Sequence, residues 1–272
     1  MIAGARAALI LFTFGLASAG CINTSSVLPS DDDATVDPAK LEADAKASFD
    51  TRPRDETAVR DALEAMRTAA RSTAIDDPAR ADRVRLAARY AVWIARHAAS
   101  SDARADAAGE GITLANTAVE AEPERVDGYY FRAVAVGCLA RENSLYGADA
   151  MTQIRGDATR AVELDAAFES AGPHRVLGGL YLRAPGPPAG VGSVRRAVRE
   201  LEKAVELAPD HPGNLLFLAE AYAASARTRD RVPPLLEQAE AALRSAGNDP
   251  AIDPVELAEW QAHLDELTDA NP

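Results

Sequence analysis

The sequence predicts an all-α fold: a solenoid of stacked helical hairpins ending in a capping helix. Three observations predict it. Ala and Arg abound, aromatic residues make up 5% of the chain, and β-branched runs are absent, a mix that favours helix over strand. A box recurs as Ala118-Val119-Glu120-Ala121-Glu122-Pro123, Ala161-Val162-Glu163-Leu164-Asp165-Ala166 and Ala204-Val205-Glu206-Leu207-Ala208-Pro209, its leading alanines 43 residues apart. Each box is followed by a second signature: Val134-Ala135 then Cys138, Leu177-Gly178 then Tyr181, Leu218-Ala219 then Tyr222. Leu86-Ala87 then Tyr90 fits one unit earlier.

The physics of the pattern is simple. A small residue lets two helices approach, an apolar neighbour fills the seam, and a larger side chain one turn later packs on the next hairpin. One such unit cannot bury its apolar face alone, so units stack. This is the chemistry of tetratricopeptide (TPR) repeats, whose usual period is about 34, so roughly nine residues per unit are extra here. The extra segments are expected at Asn143 to Gly156 and at the turn from Ala184 to Gly190. About ten to twelve helices and no strand are expected from the periodicity.

In chain order, the first element is a leader. Arg6 is the only charged side chain before Cys21, and an apolar stretch from Ala7 to Leu16 leads to Ala17-Ser18-Ala19-Gly20-Cys21. That is a cleaved secretory signal, too short to span a bilayer. Residues 1–20 are therefore read as a signal peptide. Cleavage after Gly20 leaves Cys21 first and lipidated, as in a bacterial lipoprotein. Cleavage after Ala19 gives a plainly secreted chain, an uncleaved leader would itself be an anchor, and Ser18, where lipoprotein boxes usually carry Leu, Val or Ile, keeps these alternatives open. Ile22, rather than Asp, follows Cys21 and favours the outer membrane over the inner.

Residues 21–40, polar and carrying Asp31-Asp32-Asp33, are predicted to be a disordered tether. Residues 41–272 form the repeat domain. Asp55-Glu56 opens a helix with Val59, Leu63 and Met66 on its apolar face; Asp77-Pro78 breaks it, and a break follows near Ser100-Ser101. Pro254 to Leu267 is read as a capping helix with a polar outer side.

Composition also excludes classes of function. A formal charge of −13 without a Lys/Arg cluster argues against nucleic acid as partner. Of the two cysteines, Cys21 is assigned to lipid, so Cys138 is read as a buried core residue without a disulfide. No G-x-S-x-G, H-E-x-x-H, phosphate-loop or C-x-x-C motif occurs, and His97, His174, His211 and His263 lack metal-ligand spacing. A non-enzymatic protein without cofactor or metal is expected. His211, before Pro212 in a turn, is expected to face water.

In an array of this kind the first helix of each hairpin lines the concave side. Counting from the seam residues puts Tyr129, Arg132, Arg175 and Glu220 on that side as groove candidates. Tyr129, Arg132 and Arg175 suit a carboxylate or an extended peptide. Structural salt bridges on a solvated face are the plainer alternative.

The stretch from Asp127 to Ala224 resembles the T-component (TatT-like) family of TRAP-transporter-associated TPR proteins. The resemblance rests on Gly128-Tyr129-Tyr130, Ala166-Ala167-Phe168, Pro173-His174-Arg175-Val176-Leu177-Gly178-Gly179-Leu180-Tyr181, Ala184-Pro185, Leu201-Glu202-Lys203-Ala204 and Ala208-Pro209-Asp210. It implies a periplasmic lipoprotein whose hairpins enclose a pore or cleft and which partners a solute-binding subunit. The function expected is thus a cell-envelope adaptor, membrane-held through its lipid, with a protein partner. The alternatives are a scaffold for envelope assembly and a carrier of a small apolar ligand. A homo-oligomer is compatible with the sequence.

Overall fold

The computed structural model describes residues 37–143 and 147–271. The signal peptide and Cys21 lie outside the described residues. Eleven α-helices follow one another among them: α1 (Pro38–Asp50), α2 (Glu56–Arg71), α3 (Pro78–His97), α4 (Ser101–Ala121), α5 (Val126–Glu142), α6 (Gly147–Asp165), α7 (Phe168–Arg183), α8 (Val194–Leu207), α9 (Pro212–Ala223), α10 (Val232–Ala246) and α11 (Pro254–Ala270). No strand occurs among the described residues.

The helices start where the sequence supplies acceptors. Asp37, Asp55, Asp77, Ser100, Ser193, His211 and Asp253 each accept a hydrogen bond from a backbone N–H of the first turn. Four of these precede a proline, which has no N–H to lose at a first helical position. Asp77-Pro78 thus acts as the start of α3 rather than merely the end of α2. Asp37-Pro38 starts α1, so the helical array reaches a few residues into the segment predicted to be a tether.

Helices pair as α1/α2, α3/α4, α5/α6, α7/α8 and α9/α10, and each hairpin stacks on the next. The first helices also touch along the array, α3 on α5, α5 on α7, α7 on α9 and α9 on α11. Ala118, Ala161 and Ala204 lie in the second helices α4, α6 and α8 and are fully buried. Leu177 and Leu218 are buried in the following first helices, α7 and α9. The 43-residue period is therefore one complete hairpin. Much of the extra length in the middle unit is helix, because α6 already runs from Gly147. The expected turn from Ala184 to Gly190 is non-helical and separates α7 from α8. Cys138 is buried, as expected.

Two apolar clusters fill the array, one from α1 to α5 and one from α5 to α11, with Ile112 of α4 packed against both. Their seams depend on small residues. At Gly178 of α7, an added Cβ would collide with Cγ and Cδ2 of Leu201, and Leu201 is itself fully buried in α8. Gly178→Ala is expected to cost about 1–3 kcal/mol through overpacking, read by urea unfolding, against the usual gain from replacing a helical glycine.

The array does not end open. Arg54, between α1 and α2, donates to Asp253 just before α11 at 3.0 Å, with the two side chains 7% and 0% exposed. Arg96 at the end of α3 bonds Glu259 of α11 at 2.9 Å and lies 4.0 Å from Glu256. His97 faces Glu259 at 3.2 Å. The helix read as a cap thus also bridges back to the first hairpins, and α3, α5, α7, α9 and α11 form a closed ring of first helices.

Candidate functional site

Side chains from all five ring helices converge on the inside: Arg96 from α3, Tyr130 from α5, Arg175 from α7, His211 and Asn214 at the start of α9, and Trp260 from α11. Arg175 and Arg96 lie within electrostatic reach of Tyr130 and of His211. His211 meets Trp260 edge-on, ring centroids 5.1 Å apart. Tyr130 meets Phe168 edge-on at 5.3 Å. Tyr130 also lies so close to Gly172 that a Cβ there would come within 2.7 Å of its ring, so only glycine fits.

The backbone beside this cluster is unusual. Glu169, Ser170 and Ala171 have φ of 47°, 55° and 61°, three successive left-handed residues with no glycine among them. Each such residue costs roughly 1–2 kcal/mol, and such runs persist only where surroundings hold them. Arg175 Nη1 donates to Ser170 O at 3.0 Å and Nη2 to Glu169 O at 3.3 Å. Asn214 Nδ2 donates to the same Ser170 O at 3.0 Å.

Asn214 is 0% exposed and fully employed. Its Nδ2 also reaches Ala204 O at 3.0 Å and Ala208 O at 3.3 Å, and its Oδ1 accepts from Arg175 Nη1 at 2.6 Å. Only one amide orientation satisfies this set, because Arg175 offers donors and the carbonyls offer acceptors. One asparagine therefore ties together α7, the end of α8 and the start of α9.

The electrostatics inside follow from burial. Burial pushes the Arg175 pKa down, and the Arg96 charge adds to that. His211 is pulled from 6.5 to about 3, first by burial and then by the charge of Arg175. Glu259 stays below the usual carboxylate range although burial raises it, because His97 and Arg96 hold the charged form. His211 sets a sign for pH dependence. The unfolded chain takes up a proton near pH 6.5 and the folded chain only near 3. Its contribution is complete above about pH 6.5 and is lost as pH falls towards 3. His211→Asn keeps a cap acceptor and removes the titration, so its melting temperature should fall less between pH 7 and 4 than that of the wild type. Parallel curves would contradict this.

The sequence-derived groove candidates do not form one site. Arg132 is bound bidentately by Asp157 at 2.8 and 2.6 Å and donates to Asn116 at 2.9 Å. Tyr129 lies against that guanidinium, 5.5 Å from its ring centroid. Glu220 pairs with Arg183 at 2.7 Å and His263 at 3.4 Å. Arg175 alone belongs to the inner cluster. Tyr130 rather than its neighbour Tyr129 joins it there. His211, expected to face water, is instead half-buried against Trp260.

Arg96, Trp260 and Glu259 carried no signal in the repeat boxes; only the closure of the ring brings them in. A shallow groove lined by Leu243, Leu257, Ala258 and Gln261 lies between α10 and α11 and contains none of the inner cluster. Among the described residues, no group of three His, Cys, Asp or Glu is placed to hold a metal ion, and no helix is long and apolar enough to cross a membrane.

No family model matches the chain, and no curated protein matches it. Two solved structures are similar. One is TTC0263, a thermophilic TPR protein of Thermus thermophilus, with a TM-score of 0.55 and 16% identity, covering 84% of this chain and 99% of that one. The other is MamA protein, with a TM-score of 0.50 and 13% identity, covering 77% of this chain and 93% of that one. The chain is an all-α TPR-like solenoid.

Proposed function

We propose that this is a non-enzymatic binding and adaptor protein of the bacterial cell envelope, lipid-anchored at Cys21 and facing the periplasm from the outer membrane. In its most specific form it serves a TRAP-type solute transporter by pairing with the periplasmic solute-binding subunit. One observation carries the binding role: a solenoid of helical hairpins whose first helices present polar and aromatic side chains on one inner face. Solenoids of this type work through such faces, and the TPR proteins that share the fold agree with that role. The leader ending at Cys21 and the residues resembling the T-component family support the address and the transporter link.

The test is co-purification of the tagged full chain from native membranes after mild cross-linking. Recovery of a periplasmic solute-binding subunit is expected. Recovery of envelope-assembly proteins in its place would replace the adaptor role with scaffolding. Intact mass of the mature N-terminus checks the anchor: diacylglycerol on Cys21 is expected, and an unmodified start at Gly20 contradicts it.

A second reading, the carrier of a small ligand, is favoured by the closed ring. Arg96, Tyr130, Arg175, His211 and Trp260 face the inside of that ring and are each half-buried.

A further inference from the structure

We propose that the inside of the ring binds a small organic anion, its carboxylate or phosphate held by Arg175 beside the Tyr130 hydroxyl and its aromatic or apolar body resting on Trp260 and His211. The proposal deepens the carrier reading and rests on it.

The charges inside the ring show where an anion is wanted. Glu169 is taken by Arg89 at 3.2 Å, Glu259 by Arg96 at 2.9 Å and by His97, and Glu256 lies nearest Arg96. Arg175 has no carboxylate within salt-bridge distance among the described residues; Glu169, which acts on it electrostatically, is paired with Arg89. The hydrogen bonds of Arg175 go to two backbone carbonyls, one amide oxygen and the Tyr130 hydroxyl, all neutral. A guanidinium in a low-dielectric surrounding gains far more from an oxyanion than from neutral oxygens.

The neighbours point the same way. The charge of Arg96 acts on Arg175 and is repulsive. The N-terminus of α9 opens here, with His211 as its cap and Asn214 in its first turn. The positive end of that helix dipole favours negative charge. Tyr130 keeps its proton, raised in pKa by burial, so its hydroxyl can donate to an oxyanion. Next to these donors, His211 and Trp260 form an aromatic corner. Gly213 lies under that corner, where an added Cβ would come within 3.2 Å of Trp260 Nε1.

The left-handed turn completes the case. Arg175 and Asn214 jointly hold three residues in a costly backbone conformation. The result is a guanidinium fixed in place before any ligand arrives. Pre-organisation of this kind lowers the entropy cost of binding, and local strain collects where function needs it.

The test uses the full mature chain and the indole resonances of its two tryptophans. Trp260 borders the proposed site, while Trp93 is buried in the core between α1 and α5 and serves as an internal reference. The probes are benzoate, phenyl phosphate and benzyl alcohol at constant ionic strength. Benzoate or phenyl phosphate should shift the Trp260 signal saturably and leave Trp93 in place; which of the two binds tighter identifies the oxyanion.

Arg175→Gln should weaken that binding about tenfold or more, the size expected for a lost charge-assisted hydrogen bond. Because Arg175 also holds the turn, Tyr130→Phe is the second variant. It keeps the ring against Gly172 and Phe168 and both backbone bonds of Arg175, and should weaken the anions severalfold. Equal binding of benzyl alcohol and the anions would overturn the anion site and leave the carrier reading standing. No saturable shift with any probe would overturn both.

Discussion

Asn214→Ala should destabilise the protein by about 2–4 kcal/mol, one of the two largest single-residue effects expected in the chain. The amide is fully buried and serves three carbonyls, Ser170 O, Ala204 O and Ala208 O, while accepting from Arg175. Alanine removes these bonds, each worth about 0.5–1.5 kcal/mol, while Ser170 O keeps Arg175, Ala204 O keeps the Ala208 N–H and Ala208 O keeps the His211 N–H. The left-handed turn at Glu169 to Ala171 also loses one of its two ties. Urea unfolding followed by circular dichroism measures the loss. A change below about 1 kcal/mol would mean that the turn stands without Asn214. Asn214→Asp should be no better, because a carboxylate accepts from Arg175 but cannot donate to three carbonyls.

Arg54→Ala should cost about 3–5 kcal/mol, because it leaves Asp253 buried and unpaired. Arg54 also donates to Phe49 O at 2.8 Å and stacks over the Phe49 ring at 4.2 Å. Alanine therefore loosens the turn between α1 and α2 as well. The distinctive result is where the damage appears. Asp253 caps α11 by accepting from Val255 N at 3.1 Å. Hydrogen exchange should rise in α11, almost two hundred residues away in sequence, as much as in α1. Faster exchange confined to α1 and α2 would separate the two ends of the array.

The fold was legible because its signals are local or periodic. The start at Asp55 and the breaks at Asp77-Pro78 and Ser100-Ser101 can be read from single residues, and the boxes at Ala118, Ala161 and Ala204 repeat with the hairpin. Cys138 was legible as core from its apolar neighbours. Ring closure was not legible. The partners Arg54 and Asp253, or Arg96 and Glu259, are unrelated in sequence, and only the summed curvature of five hairpins decides whether they meet. In an acidic, arginine-rich chain such pairs carry no pattern of their own.

The inner site was half legible for the same reason. Arg175 falls on the correct face by counting, but the counting could not tell which groove residues are consumed by structure. Arg132 is equivalent by counting, but Asp157 and Asn116 occupy its donors. Tyr130, one residue past the counted position, reaches the site because Gly172 lets its ring in. His211 looked solvated beside Pro212; the arrival of Trp260 from α11 buries it. Three left-handed residues without a glycine give no sequence sign, since that conformation is imposed by Arg175 and Asn214 from outside.

The central claim is that the solenoid closes into a ring around an inner face. The most direct measurement is the distance between spin labels at positions 99 and 262, both exposed, one just past α3 and the other on α11, in a chain whose buried Cys138 is replaced by alanine. Double electron–electron resonance should give one narrow, short distance that broadens in Arg54→Ala. A broad or long distribution in the otherwise intact chain would mean that α11 does not meet α3, and the enclosed site would fall with it.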